Sequence, residues 1–422
     1  MDMDLLVAVG VFVATFVAIS LDKVHKTLVA LLGAMAMILL GLVSQEEAFR
    51  NVDWNVIFLL AGMMVIANTL RRTGVFQWAA MKIIDVARGE PMLVMLLLST
   101  LTAVTSAFLD NVTTVVLMVP ITVFVAGALG ISPVPLLIAE VLASNIGGAA
   151  TLIGDPPNII IGSASGLDFG AFLFNMGPVI VVIYAVFIGL LVLLFRGQLR
   201  TTPERVAAAM RMREEGVITD RTLLVQSLLV LAAVIIGFLL HGALGYEAAT
   251  VAMSGAAVLM LVSRVEVHDM VSEIEWATLL FFFGLFVVVE ALVHVGFVEI
   301  AARGMLSITG GDPTATTMLM LWGSAVASAL IDNIPYTATM VTIVPELART
   351  MPADPLWWAL ALGACLGGNG TAIGASANVI VLSLAERAGY KISFVQFLGY
   401  GVLVTFVSMI ISTVYVWVRY LM

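Results

Sequence analysis

Cysteine and charge are both scarce in this chain. One cysteine occurs in 422 residues, and Asp, Glu, Lys and Arg together make up 11% of them. The lone Cys365 excludes an intramolecular disulfide and leaves no cysteine-based zinc site. A soluble domain carries about a quarter charged residues, so a soluble globular fold is excluded. No Lys or Arg stands between Arg88 and Arg196, between Arg303 and Arg349, or from 350 to 386. No basic patch interleaved with aromatics is present, which argues against nucleic acid. No phosphate loop, nucleophile triad or HExxH pattern supports an enzyme. The 23 methionines form no repeated Met-x-x-Met run and read as core filler.

What remains is apolar. Hydrophobic residues make up 61% of the chain, and stretches of about 20 such residues, enough to cross a bilayer core, recur throughout. The chain reads as an all-α polytopic membrane protein of about ten spans. They are expected near 5–21, 27–43, 54–71, 134–165, 172–195, 222–241, 247–262, 276–293, 356–386 and 394–418. The N-terminal "MDMDLLVAVGVFVATFVAIS" lacks a basic n-region and reads as the first span. Two further apolar stretches, 92–127 and 315–348, are too long for one span. Each holds an Asp-Asn pair near its middle, in "SAFLDNVTT" and "SALIDNIPY". Both read as re-entrant helical hairpins with Asp-Asn at the tip.

Basic residues set the orientation. Counted over alternate loops, one side receives Lys23, Lys26, Arg71, Arg72, Lys82, Arg88, Arg196, Arg200, Arg205, Arg211, Arg213, Arg221, Arg264, Arg387 and Lys391. The other receives Arg50, Arg303, Arg349 and Arg419. This 15-to-4 split places the first group in the cytoplasm and both termini outside. The polar stretch 196–221, with six arginines and four acids, reads as a solvated cytoplasmic linker between a first repeat, 1–195, and a second, 222–422.

The two halves share a pattern. Trp54, Gly62, Gly74, Asp110 and Asn111 recur 222 residues later as Trp276, Gly284, Gly296, Asp332 and Asn333. Gly147, Gly148, Thr151, Ile153, Gly154, Asn158 and Ile160 recur 220 residues later as Gly367, Gly368, Thr371, Ile373, Gly374, Asn378 and Ile380. Five spans per half is an odd number, so the second half is expected upside down. Inverted repeats with interrupted helices mark secondary transporters.

The interruptions themselves are "GGAATLIGDPPN" (147–158) and "GGNGTAIGASAN" (367–378). Non-helical backbone at membrane depth survives only where protein or a water-filled cavity satisfies it. Pro156 and Pro157 remove donors and favour a fresh helix start. The expected product is a broken helix whose half-helix ends offer N–H groups and carbonyls to a small solute or ion. The second copy has Ala375, Ser376 and Ala377 in place of Asp155, Pro156 and Pro157. Asp110 and Asp332, expected at mid-membrane, read as proton sites, cation ligands or helix N-caps. The candidate binding set is Asp110, Asn111, Thr113, Asn145, Gly147, Gly148, Thr151, Gly154, Asp155 and Asn158 in the first half. In the second it is Asp332, Asn333, Gly367, Gly368, Asn369, Thr371, Gly374 and Asn378. Glu290 and Glu140 are further candidates for proton transfer. His294 reads as interfacial, and Cys365 as a small packing residue beside the second break. With no basic side chain expected in either binding region, a neutral solute or a cation fits better than a multiply charged anion.

"ASNIGGAATLIGDPPN" (143–158) resembles the signature of the ion transporter superfamily. It is most similar to the branch of ArsB-type arsenite permeases and P-protein-like permeases, over about residues 54–418. It also resembles the divalent anion/sodium symporters, which carry Ser-Asn-Thr at the hairpin tips. This chain has Asp110-Asn111-Val112 and Asp332-Asn333-Ile334 there, a titratable acid in place of a hydroxyl. The resemblance implies an elevator-type carrier in the inner (plasma) membrane, with a scaffold that can dimerise. Proton-coupled arsenite or antimonite efflux is the leading expectation. Sodium/proton antiport and sodium-coupled dicarboxylate- or citrate-like symport are the alternatives. No cofactor is expected, and a soluble ATPase partner at the linker stays open.

Overall fold

A computed structural model describes residues 3–21, 23–210 and 218–422. Part of the linker, with Arg211 and Arg213, lies outside the described residues. Every described element is a helix. The first half runs through α1 (Met3–Leu21), α2 (Lys26–Leu39), α3 (Gln45–Arg50), α4 (Trp54–Arg72), α5 (Val75–Val86), α6 (Pro91–Phe108), α7 (Asn111–Leu129), α8 (Val134–Gly148), α9 (Pro156–Ser165), α10 (Phe169–Asn175) and α11 (Gly177–Phe195). The linker contributes α12 (Pro203–Met210). The second half runs through α13 (Arg221–Leu244), α14 (Ala248–Ser263), α15 (Val267–Ser272), α16 (Trp276–His294), α17 (Phe297–Thr309), α18 (Pro313–Leu330), α19 (Asn333–Leu347), α20 (Ala353–Gly367), α21 (Ser376–Arg387) and α22 (Phe394–Val416). A π turn, Trp417–Leu421, closes the last helix.

Among the described residues, eight helices are long and apolar enough to cross a membrane, or nine if the bent pair α9–α10 counts as one span. α2, α8 and α14 are apolar but shorter. The expected span 172–195 is divided: α10 ends at Asn175, and α11 begins at Gly177 with Pro178 in its first turn. A proline there has no N–H to extend the preceding helix but suits a helix start. The linker is not simply a solvated loop, because α12 packs on α5 and α7. Two amphipathic connectors that the hydropathy pattern did not single out, α5 and α17, pack against α7 and α19 respectively.

Two bundles emerge from the packing. α1, α2 and α16 form one cluster, α13, α14 and α4 form another, and α4 meets α16 between them; this is the framework bundle. α6–α9, α11 and α18–α22 form the hairpin bundle. The packing is reciprocal between halves. α2 lies on α16 as α14 lies on α4; α6 lies on α8 as α18 lies on α20; α7 meets α21 as α19 meets α9. Such mutual pairing is what a two-fold relation between the halves produces.

Glycine enforces the closest approaches. A Cβ at Gly147 would lie 2.1 Å from the Ala103 carbonyl oxygen, and one at Gly367 would lie 2.5 Å from that of Ala325. Small residues that let backbones touch are how helices associate in lipid, where burial of apolar surface supplies no drive.

Candidate functional site

Each hairpin bends at its Asp-Asn pair. Leu109 and Ile331 are extended, and Asp110 and Asp332 cap the following helices. Asp110 Oδ1 accepts from the Thr113 amide at 2.8 Å, and Asp332 Oδ1 accepts from the Ile334 amide at 3.1 Å. Cap and binding roles are compatible, because a carboxylate has lone pairs left after accepting one amide. Thr113 supplies the backbone donor of the first cap.

Both expected helix breaks are present. α8 stops at Gly148 and α9 starts at Pro156; α20 stops at Gly367, a 3₁₀ turn covers Gly368–Gly370, and α21 starts at Ser376. The unwound backbone is satisfied from within. Asn158 Nδ2 donates to the carbonyls of Ala149 and Thr151 at 3.2 and 2.8 Å, and Asn378 Nδ2 donates to those of Gly368 and Thr371 at 2.8 Å each. Thr151 donates to the Ala107 carbonyl and Thr371 to that of Ala329, tying each break to its hairpin. Gly148 faces Gly154, and Gly368 faces Gly374, at distances no Cβ would fit or only tightly.

At the centre the two halves meet through side-chain amides. Asn145 Nδ2 donates to Asn369 Oδ1 at 2.8 Å and to Asn378 Oδ1 at 2.9 Å. Its Oδ1 accepts from Asn111 Nδ2 at 3.2 Å. Asp155 accepts from Asn111 at 3.1 Å and from Asn333 at 3.4 Å, so one carboxylate bridges both hairpin tips. Cys365 occupies the position equivalent to Asn145 and does the equivalent work: its Sγ donates to Asn158 Oδ1 at 3.3 Å. Asn111, Asn145, Asp155, Asn158, Asn333, Asn369 and Asn378 are all fully buried or nearly so. Asn111 Oδ1 is buried with no protein partner among the described residues.

A cavity of about 450 Å³ lies between the two bundles, beside the hairpin tips. Asp110, Pro156, Asp332 and Ser376 line it from the hairpin bundle; Lys26 and Glu275 line it from the framework bundle. One expectation needs correction here. The site does contain a basic side chain: Lys26 Nζ lies 3.4 Å from Asp332 Oδ2. Distance along the chain concealed it, since Lys26 and Asp332 are 306 residues apart. Glu275 was likewise missed. Its only sequence signal is its place just before Trp276, the repeat of Trp54.

Other candidates fall elsewhere. Glu290 pairs with Asn51 at 2.8 Å and does not line the cavity. Glu140 is buried in the hairpin bundle with Thr122 as its partner at 2.6 Å, again away from the cavity. His294 is half exposed beside Glu47. A second cavity, of about 260 Å³, lies between Asn55, Ser163, His241 and Glu247. Its framework wall repeats that of the first: Asn55, His241, Glu247 and Ala248 are equivalent to Ala277, Ile19, His25 and Lys26.

Paired helix breaks, carboxylates at hairpin tips and a largely apolar cavity onto which those carboxylates open between two bundles define a polytopic membrane transporter. The chain belongs to the CitMHS citrate transporter family, whose model matches residues 16–363. It is 48% identical to an uncharacterized transporter of Mycobacterium tuberculosis, over 98% of this chain and 99% of that one. It is 34% identical to the P protein of Mus musculus, over 98% of this chain and 60% of the longer relative. The fold resembles that of MtrF from Neisseria gonorrhoeae, with a TM-score of 0.62 at 12% identity, covering 99% of this chain and 95% of that one.

Proposed function

We propose that this transporter is a proton-coupled secondary carrier with two inverted halves, in which the hairpin bundle shifts against the framework bundle to expose one site to either side in turn. The observation that carries the reading is the cavity into which Asp110 and Asp332 both project from helix N-caps. A carboxylate at membrane depth is stable when it is neutralised, by a proton or a cation. Three carboxylates line the cavity, from Asp110, Asp332 and Glu275, against one lysine. That balance favours a neutral or cationic solute over a free polyanion. Uncharged arsenite or antimonite is the candidate cargo, with the buried carboxamides of Asn111, Asn333 and their neighbours as hydrogen-bond partners. Coupling would exchange inward proton movement at Asp110 and Asp332 for outward movement of the solute.

Lys26 favours one second reading. A lysine beside the α21 start can meet a carboxylate of the cargo, which suits a citrate-like solute of the kind named for the family. Proteoliposomes with separately imposed proton and sodium gradients decide between these. Arsenite counterflow driven by the proton gradient, abolished or made pH-independent by Asp332→Asn, is expected. Unchanged transport and pH profile in both Asp110→Asn and Asp332→Asn would refute proton coupling at these sites. Citrate uptake with no arsenite movement would select the second reading.

A further inference from the structure

The halves are built alike, yet among the described residues only the Asp332 tip carries an ion pair across the bundle boundary. Lys26 belongs to α2 of the framework; Asp332 and Ser376 belong to the hairpin bundle. Lys26 Nζ lies 3.4 Å from Asp332 Oδ2 and donates to Ser376 Oγ, which in turn donates to Asp332 Oδ2 at 2.6 Å. The first half cannot reproduce this. The positions equivalent to Lys26 and Ser376 are Ala248 and Pro156.

The lysine is aimed rather than loose. His25 Nδ1 accepts from the Thr27 amide at 3.4 Å, and Thr27 Oγ1 donates to the Ala277 carbonyl at 2.7 Å, fixing the first turn of α2 to the start of α16. The ammonium also sits 5.1 Å from the centre of the Phe281 ring, also on α16. Among the described charged and titratable groups, Asp332 alone is within ion-pair distance; His25, Glu275 and Asp110 share the cavity. The Asp332 side chain is only 11% exposed and that of Lys26 is 29% exposed. The pair is therefore screened less than a surface salt bridge.

We propose that Lys26 is a site residue of the transport cycle: it clips the framework to the Asp332 hairpin in the conformation seen here, and the clip must open each time the bundles change position. Because the equivalent pair is missing from the other half, the clip holds the carrier on this side of its cycle. This inference rests on the two-position reading above.

The test uses the full-length protein with Ile380→Cys, a substitution on the cavity wall. A membrane-impermeant maleimide reports how often the cavity is open. Cys365 is fully buried, and the parent protein measures its background. Lys26→Met should slow labelling by about three- to tenfold, the range for a charge-assisted, partly buried pair. Lys26→Gln should behave likewise, and Lys26→Arg should restore the parent rate. Asp332→Asn should slow labelling too, and the double Lys26→Met/Asp332→Asn variant should be no slower than either single one. Parent-rate labelling in both Lys26→Met and Lys26→Gln, or single effects that multiply in the double variant, would overturn the clip. Labelling that is indifferent to every variant, to imposed gradients and to added solute would overturn the two-position reading as well.

Discussion

Asn145→Ala is the substitution with the most to lose. Asn145 is fully buried, and its side chain makes three hydrogen bonds across the centre: two donated, to Asn369 and Asn378, and one accepted, from Asn111. Alanine leaves both acceptor oxygens without this donor. Asn111 Nδ2 keeps Asp155 as its acceptor. Hydrogen bonds between membrane helices average only about 0.6 kcal/mol by double-mutant cycles, so three bonds give a floor of about 2 kcal/mol. Two buried acceptors left unsatisfied cost about 1–3 kcal/mol each, so the ceiling is about 6 kcal/mol. The floor alone should lower the melting temperature measurably. Asn145→Cys tests the same logic from the other side. It installs the residue that Cys365 places at the equivalent position, where one thiol donor serves one Asn. Its loss should fall between those of parent and alanine. Thermal unfolding of the purified protein in detergent, followed by size-exclusion recovery after heating, reads the order. An alanine variant as stable as the parent, or a cysteine variant less stable than alanine, would refute the claim that this amide cluster holds the halves together.

Further outcomes follow from packing and charge. Gly147→Ala forces a Cβ into the Ala103 backbone, which cannot move aside as a side chain could, and should cost about 1–3 kcal/mol. Gly10→Ala, in open space on α1, should be neutral or stabilising by up to about 1 kcal/mol, because alanine is the better helix former. Equal melting temperatures for the two would count against the close approach of α6 to α8. Outside the membrane, the Ser44 hydroxyl and amide hold the Glu47 carboxyl below its ordinary value of 4.5, capping α3. A depressed pKa stabilises above the unfolded value, and the contribution is lost as pH falls through the folded one. Hydrogen exchange in residues 44–50, compared with Glu47→Gln at each pH, should show protection near neutrality that disappears towards pH 4 and below. A constant ratio across pH would exclude the cap.

The breaks were legible because glycine and proline act locally. "GGAATLIGDPPN" cannot continue an α-helix through Pro156 and Pro157, and the repeat at 367–378 announced a second break despite lacking both prolines. The hairpin bends were legible from the Asp-Asn pairs, since Asp is a favoured N-cap. The divided span at Asn175–Gly177 was less so, because apolar composition continues across it and hides the change of direction. Lys26 looked like one more basic residue of a cytoplasmic loop. Glu290 looked well placed in an apolar span, yet it sits at the far end with Asn51.

Composition, periodicity and the internal repeat determined a helical membrane chain, its two related halves, the places where helices must stop, and the polar residues at the bends and breaks. All of these follow from rules that act within about 20 residues: bilayer thickness, capping, and the backbone limits of proline. Tertiary structure alone decided which of those residues meet. Asn145 finds Asn369 and Asn378, Asp155 joins both tips, and Lys26 crosses from one bundle to the other. Contacts between residues hundreds of positions apart depend on how helices pack in three dimensions, and no local pattern in the chain encodes that register.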